Sequence, residues 1–263
     1  VLRLIKQWLH AGVMEEGRVT RSELGTVQGG SISPLLANIY LHYAFDLWVE
    51  QWRRRHAKSD VIIVRYADDW VAGFGKHVDA QRFRRDVAAR LKGFGLTLHE
   101  KKTRLIEFGR FAREDRSRRG QGKPQTFDFL GFTHCCGATR RGKFVVLRLT
   151  SAQKTRAKLR AVQEELRKRM HRPIAEQGIY LRSVVVGHMR YYGVPRNGAR
   201  LKAFRLQISR LWHRVLCRRS QVRQMKWQRM AKLTAHWLPP IRICHPYPNQ
   251  RLIVTTQGGS RMR

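Results

Sequence analysis

Asp68 and Asp69 stand side by side between two β-rich runs, Val61 to Arg65 and Trp70 to Phe74. The pattern reads as a hairpin with the acidic pair at its bend. Adjacent like charges repel unless a cation holds them. Mg²⁺ is bound through one or two carboxylates together with waters and substrate phosphates. Two such ions, about 3.5 to 4 Å apart, activate both the attacking and the leaving oxygen of a phosphoryl transfer. An Asp-Asp pair is also an ordinary turn feature, because Asp bonds its own backbone and tolerates turn geometry. The company the pair keeps decides between these readings.

The elements around the pair follow from periodicity. Leu2, Ile5 and Leu9 have near-helical spacing, with Gly12 as a C-cap signal. Ser31 offers an N-cap and Pro34 a first helical position. One stripe of the helix that follows carries Leu36, Tyr40, Tyr43 and Leu47, and another carries Leu41, Phe45, Trp48 and Trp52, so burial on both sides is expected. Phe83, Val87, Leu91 and Phe94 predict an amphipathic helix closed by Gly93 and Gly95. Leu96 to Leu98 and Leu105 to Phe108 read as short strands, and Arg110 to Gln125 as an exposed loop. Phe127 to Thr133 and Phe144 to Leu149 suggest a second hairpin around Gly137 to Gly142. After Thr150 the pattern is helical, with one stripe of Leu159, Val162, Leu166 and Met170 and another of Leu201, Phe204, Ile208, Leu211 and Val215. A boundary is therefore placed there, giving an α+β region at 1–150 and an all-α region at 151–263. The segment from Pro239 reads as loop.

Charge narrows the partner. The 263 residues hold 54 Lys+Arg against 18 Asp+Glu, a formal net charge of +36. That excess calls for a polyanion, and no apolar run approaches the roughly 20 residues of a membrane span. Aromatic residues interleave with the basic ones, which suits phosphate contacts combined with base stacking. Nucleic acid is thus expected and membrane is not. Cys135 and Cys136 are adjacent while Cys217 and Cys244 stand apart, so there is no CxxC pair to begin a zinc or redox motif, and buried thiols in a reducing cytosol are expected.

Tyr66-Ala67-Asp68-Asp69 resembles the YxDD signature of reverse transcriptases, in the form common among group II intron and retron enzymes. The segment from Gln28-Gly29-Gly30 through Ser33-Pro34-Leu35-Leu36-Ala37-Asn38-Ile39-Tyr40-Leu41 resembles the family's QGGxxSPLLANIYL stretch. Gly95 to Thr103 is similar to the palm motif that follows, and Phe129-Leu130-Gly131-Phe132 to the primer-grip hairpin. Gly187-His188-Met189-Arg190-Tyr191-Tyr192-Gly193 resembles the core of the maturase-specific region, and His245-Pro246-Tyr247-Pro248 a C-terminal element of bacterial members. The resemblance implies a partial right-hand polymerase palm, an antiparallel sheet with helices, followed by an all-α thumb and maturase region. Asp68 and Asp69 would be catalytic Mg²⁺ ligands, with Gln28, Gly29, Tyr66 and Lys102 at the nucleotide and Phe129, Leu130, Gly131 and Phe132 at the primer. RNA contacts are expected from Lys154, Arg156, Lys158, Arg160, Arg190, Tyr191, Tyr192, Arg200, Lys202, Arg205, Arg210 and Arg214. The implied partners are group II intron RNA, an RNA template with its DNA primer, and dNTPs, in a bacterial cytosol.

Two departures bear on activity. Val27 stands where the family has Pro, and the family's first catalytic Asp would lie upstream of Val1. Asp46 falls within a helix and is expected to be structural. By this reading the chain is an RNA-directed DNA polymerase and maturase by family, and residues 1–263 alone are expected to bind RNA without polymerising. The alternatives are a non-catalytic splicing cofactor or truncated remnant, and a retron-type or defence enzyme, the last disfavoured by the maturase-like segment. No H-N-H signature follows the helices, so DNA cleavage is not expected. The charge excess predicts a steep salt dependence of RNA binding, about −0.7 to −0.9 in log K against log salt for each phosphate neutralised. A flat response in a filter-binding series would refute it.

Overall fold

The computed structural model describes residues 2–9, 13–15, 18–20, 32–219 and 225–248. These form an α+β chain of two compact units, Val1–Leu105 and Ile106–Arg263. Among the described residues no helix is long and apolar enough to cross a membrane.

The first unit begins with α1 (Leu2–Leu9) and a two-stranded ladder of β1 (Val13–Glu15) and β2 (Arg18–Thr20). Next comes α2 (Ser33–Leu41), with Pro34 in its first turn and Ile32 at the N-cap position. Ser31 and Gly12, the expected caps, lie outside the described residues. α2 runs through a π-helical turn, His42–Asp46, into α3 (Leu47–His56). Only one of the two expected stripes is buried. Phe45, Val49 and Trp52 face the core, whereas Tyr40, Tyr43 and Leu47 are exposed. Burial needs a partner surface on each side, and within this unit the hairpin and the next helix cover one side only.

That hairpin is β3 (Val61–Tyr66) with β4 (Asp69–Phe74), paired antiparallel from Val61↔Phe74 to Tyr66↔Asp69. Alternation puts Val61, Ile63, Trp70, Ala72 and Phe74 on the core side, where α4 (His77–Lys92) adds Phe83, Val87 and Leu91. The opposite face leaves Ile62, Val64 and Tyr66 exposed. Leu96–Leu98 and Leu105–Phe108, read as strands, form no ladder.

The second unit holds a three-stranded antiparallel sheet of β5 (Phe127–Phe129), β6 (Phe132–Ala138) and β7 (Phe144–Thr150). Part of the expected 110–125 loop is a short helix, α5 (Ala112–Arg118), seated through buried Ala112. Four helices follow, α6 (Ala152–Lys168), α7 (Ile174–Tyr192), α8 (Gly198–Cys217) and α9 (Trp227–Trp237). The expected stripes meet in their core, where Val162, Leu166, Leu181, Phe204, Ile208, Trp212 and Met230 are buried. The change to helices at Thr150 is present, but the compact units divide at Leu105/Ile106. The sheet belongs with the helices because its last strand is bonded into them. Asn197 at the start of α8 accepts from Thr150 N (3.1 Å) and donates to Thr150 Oγ1 (2.8 Å).

Two buried groups knit the helices together. The Gln177 amide donates to the carbonyls of Arg169, Met170 and Arg172 just past α6, and its oxygen accepts from Trp212 Nε1 (2.9 Å). Gly178 lies directly beneath Trp237, where a Cβ would sit 2.5 Å from Cγ and 2.7 Å from Cε2. Gly178→Ala should therefore lower the urea midpoint despite Ala's better helix propensity. The expected net loss is about 1 to 2 kcal/mol, since overpacking costs roughly 1 to 3 and propensity returns at most about 1. An unchanged or raised midpoint would show that Trp237 yields at little cost.

Candidate functional site

The bend joining β3 to β4 consists of two residues, Ala67 and Asp68, with Asp69 opening β4. Ala67 takes φ +52, a conformation in which an L residue is strained by about 1 kcal/mol or more. A strained turn persists only where its surroundings hold it. Here Arg65 does so. Its Nε donates to Asp46 Oδ1 (2.7 Å) and its Nη2 to Asp46 Oδ2, a two-pronged fork on one carboxylate. Its Nη1 donates to Ala67 O (2.8 Å) and to Asn38 Oδ1 (3.0 Å). One guanidinium thus ties the bend to α2 and to the π-helical turn, which sets Asp46 toward the hairpin.

The same fork separates the acids by role. Arg65 beside Asp46 holds that carboxyl below its usual value of 3.8, against the opposing effect of burial, so Asp46 is an ion-pair partner, as expected of it. Asp68 and Asp69 are exposed, and neither pairs with another described side chain. At this hairpin they are the acids available to a ligand. Among the described residues no cluster of three or more His, Cys, Asp or Glu is poised for a metal ion, so the pair supplies two carboxylates by itself.

The other sequence-predicted residues fall in several places. Tyr66 lies across from Asp69 on the exposed face. Lys102 is exposed in the turn after α4, its N–H bonded to His99 O (3.0 Å) and its side chain in no ion pair with Asp68 or Asp69. Gln28 and Gly29 lie outside the described residues. In the second unit the structure brings two separately read motifs together. Leu130 and Gly131 form a tight turn with φ +49 and +77, joining Phe129 to Phe132. Tyr191 Oη donates to Leu130 O (3.0 Å), its ring stacks on Phe132, and Tyr192 packs edge-on against Phe132. A Cβ on Gly131 would lie 2.8 Å from Tyr192 Oη, so this turn is fitted to the end of α7. Tyr192 is half-buried in holding that turn, while Tyr191 keeps 54% of its surface exposed. His188 in the same motif is buried against Phe204, and burial, aided by nearby Lys158, pushes it down to about 4, leaving it uncharged at neutral pH.

The basic helices divide as well. Lys154, Arg156, Lys158 and Arg160 on α6, Arg190 on α7, and Arg200, Lys202, Arg210 and Arg214 on α8 are exposed. Arg205 is not a free contact. It is half-buried and donates to the carbonyls of Thr234, Leu238 and Pro239, capping the C-terminal end of α9. Its expected place at an RNA surface is corrected to this structural one, because its donors are taken up by carbonyls at the end of α9. Sequence reading missed Arg65 and Asn38. The available signal was an Arg at a core-facing position of an alternating strand, which requires an acid on the facing element.

Residues 2–134, just over half of the chain, match the family described as "Reverse transcriptase (RNA-dependent DNA polymerase)". The chain is also 25% identical over 156 residues to an "Uncharacterized 91 kDa protein in cob intron" of Schizosaccharomyces pombe, an alignment covering 40% of this chain. The chain spans 19% of that relative's length.

The clamp carries a pH-dependent prediction. Asp46 has a lowered folded value, so its stabilisation is fully present above the unfolded value near 3.8 and is lost as pH falls below it. Asp46→Ala should destabilise the first unit at pH 7 by about 1 to 3 kcal/mol, the cost of leaving a half-buried donor without its acceptor. The gap from the wild type should narrow in melts near pH 3. A gap equal at both pH values would remove the ion pair as its cause.

Proposed function

The chain belongs to the reverse transcriptase family, and from that premise we propose that its Asp68-Asp69 bend is the carboxylate share of a Mg²⁺ site for copying RNA into DNA. The observation that carries this reading is the division of labour at the hairpin. Asp46 is held by Arg65, while Asp68 and Asp69 stand exposed at a turn that Arg65 fixes. Two unengaged carboxylates suit Mg²⁺, whose remaining positions go to waters and substrate phosphates. When bound, the ions lower the barrier by stabilising charge on the attacking and leaving oxygens. The protein's contribution is positional. Arg65 holds the bend without drawing on the acidic pair, and Tyr66 presents an exposed ring beside Asp69. Gln28, Gly29 and Lys102 are assigned to the nucleotide, and Phe129 to Phe132 to the primer, on the family resemblance.

We further propose that the partner is group II intron RNA and that the chain assists its splicing. The support is the run from Gly187 to Gly193 together with the exposed Lys and Arg of α6 and α8, and the cob-intron location in the name of the Schizosaccharomyces relative agrees with it. A second reading, an RNA-binding splicing cofactor without polymerase activity, is favoured by the two-carboxylate content of the described site.

Primer extension on an RNA template separates the two. Asp68→Asn, measured in this chain and in a version extended upstream through the strand the resemblance places there, should reduce Mg²⁺-dependent synthesis by at least about 100-fold. Even outer-shell partners of metal ligands cost about 10- to 100-fold. RNA affinity should stay within about twofold, because exposed basic helices carry it. Synthesis at the unsubstituted rate would remove Asp68 from the site, and no synthesis by either version would favour the cofactor reading.

A further inference from the structure

Polymerase chemistry leaves one concentration of positive charge without a task. α6 ends in Arg167 and Lys168, while α8 carries Arg214 in its last turn and Arg218 at its C-cap. Between these helices lies a cleft of about 40 Å³ lined by Gln163, Arg167, Leu211, Arg214, Val215 and Arg218. The three arginines are exposed, and Val215 beneath them is buried. Helix C-termini favour cations, which accounts for a basic residue at each end. It does not account for three guanidiniums and an amide meeting at one cleft. Among the described residues no acid pairs with them, exposed Glu164 on α6 included. α8 contains no Asp or Glu, Glu165 on α6 is bonded to Arg169 (2.6 Å), and no described carboxylate pairs with Arg167, Arg214 or Arg218.

We propose that this cleft seats one backbone phosphate of a folded RNA. A guanidinium presents paired N–H donors that match two phosphate oxygens, and arginines arriving from two helices surround the group. The volume is room for about three waters, enough for phosphate oxygens to enter between the guanidiniums. Gln163 adds an amide donor. Folded RNA is recognised by shape and phosphate placement, which a fixed site on rigid helices can read. A lipid surface would call for apolar side chains standing beside the cations. Here Leu211 and Val215 are drawn into the helix interface instead. The inference rests on the RNA-binding part of the proposed function, which takes the exposed cations of α6 and α8 only as a group, and it joins Gln163 and Arg218 to Arg167 and Arg214 in one phosphate site.

The test measures binding of the 263-residue chain to an RNA stem-loop across a salt series. Arg167→Gln, Arg214→Gln and Arg218→Gln are compared singly and together with a control triple, Arg113, Arg140 and Arg141→Gln, which removes equal charge from exposed positions of the same unit. Each cleft variant should lower the salt slope by about 0.7 to 0.9 and the affinity about fivefold to tenfold. The cleft triple should lower the slope no further than one substitution does, because three side chains serve one phosphate. Lysine at all three positions should restore the slope with weaker binding, since charge returns without the fork. Matching thermal melts would confirm that the variants fold.

The proposal is overturned if the cleft triple leaves the slope unchanged, lowers it about threefold as far as a single variant, or matches the control triple. It is also overturned if phosphatidylserine vesicles lose more binding than RNA does, or if inorganic phosphate alone occupies the cleft as tightly as RNA. Absence of RNA binding by the unsubstituted chain would overturn the proposed function as well. A silent cleft in a chain that still binds RNA would overturn this inference alone.

Discussion

A two-stranded hairpin with one face in water has little stability of its own, and a strained two-residue bend adds to its cost. The first unit meets this with a single guanidinium. Arg65 binds both oxygens of Asp46 and still reaches Ala67 O and Asn38, so α2, the π-helical turn and the bend are registered by one side chain. A lysine would supply the charge without the planar fork that makes two bonds to one carboxylate and leaves a third nitrogen for the turn. The acidic pair depends on that arrangement. Because Asp46 answers Arg65, Asp68 and Asp69 retain their full capacity to accept a ligand.

The second unit solves a comparable problem with amides in place of ions. Gln177 satisfies three carbonyls beyond α6 and the Trp212 indole, and Asn197 joins β7 to the ends of α7 and α8. Neutral amides suit these buried positions, since they make several bonds without the desolvation cost of a charge. Close backbone approach completes the fit. Gly193 O accepts from Cys244 N (2.7 Å) and His245 N (3.0 Å), so the segment after α9 is strapped to the end of α7. A Cβ on Gly193 would crowd Met189 O and Cys244 N.

Charge is distributed by the same economy of partners. Of the α8 cations, Arg205 is turned inward to cap α9, while Arg200, Lys202, Arg210 and Arg214 remain in water. A chain of net charge +36 keeps its few acids occupied where it can, as with Glu50, Glu107 and Glu165. Other exposed acids, such as Glu114 and Asp115 on α5, also stand without a described side-chain partner, so what sets Asp68 and Asp69 apart is their place at the bend that Arg65 fixes and the family resemblance marks.

By itself the sequence determined the acidic pair at a hairpin bend, the alternation of β3 and β4, the apolar stripes of α6 and α8 and the excess of positive charge. These are local, because strand and helix periods and residue charges need no distant partner to be read. Tertiary structure decided what depends on a second element. The helix from Ser33 to His56 offered two apolar stripes, and the side facing the hairpin and α4 became the inner one. Leu96 to Leu98 had strand-like residues and no strand to pair with. The bonds of Thr150 to Asn197 placed the sheet with the helices and moved the unit boundary back to Leu105. Whether an arginine clamps a turn, caps a helix or waits for a phosphate depends on which oxygen lies within about 3 Å of its guanidinium, a distance that exists only once the chain has folded.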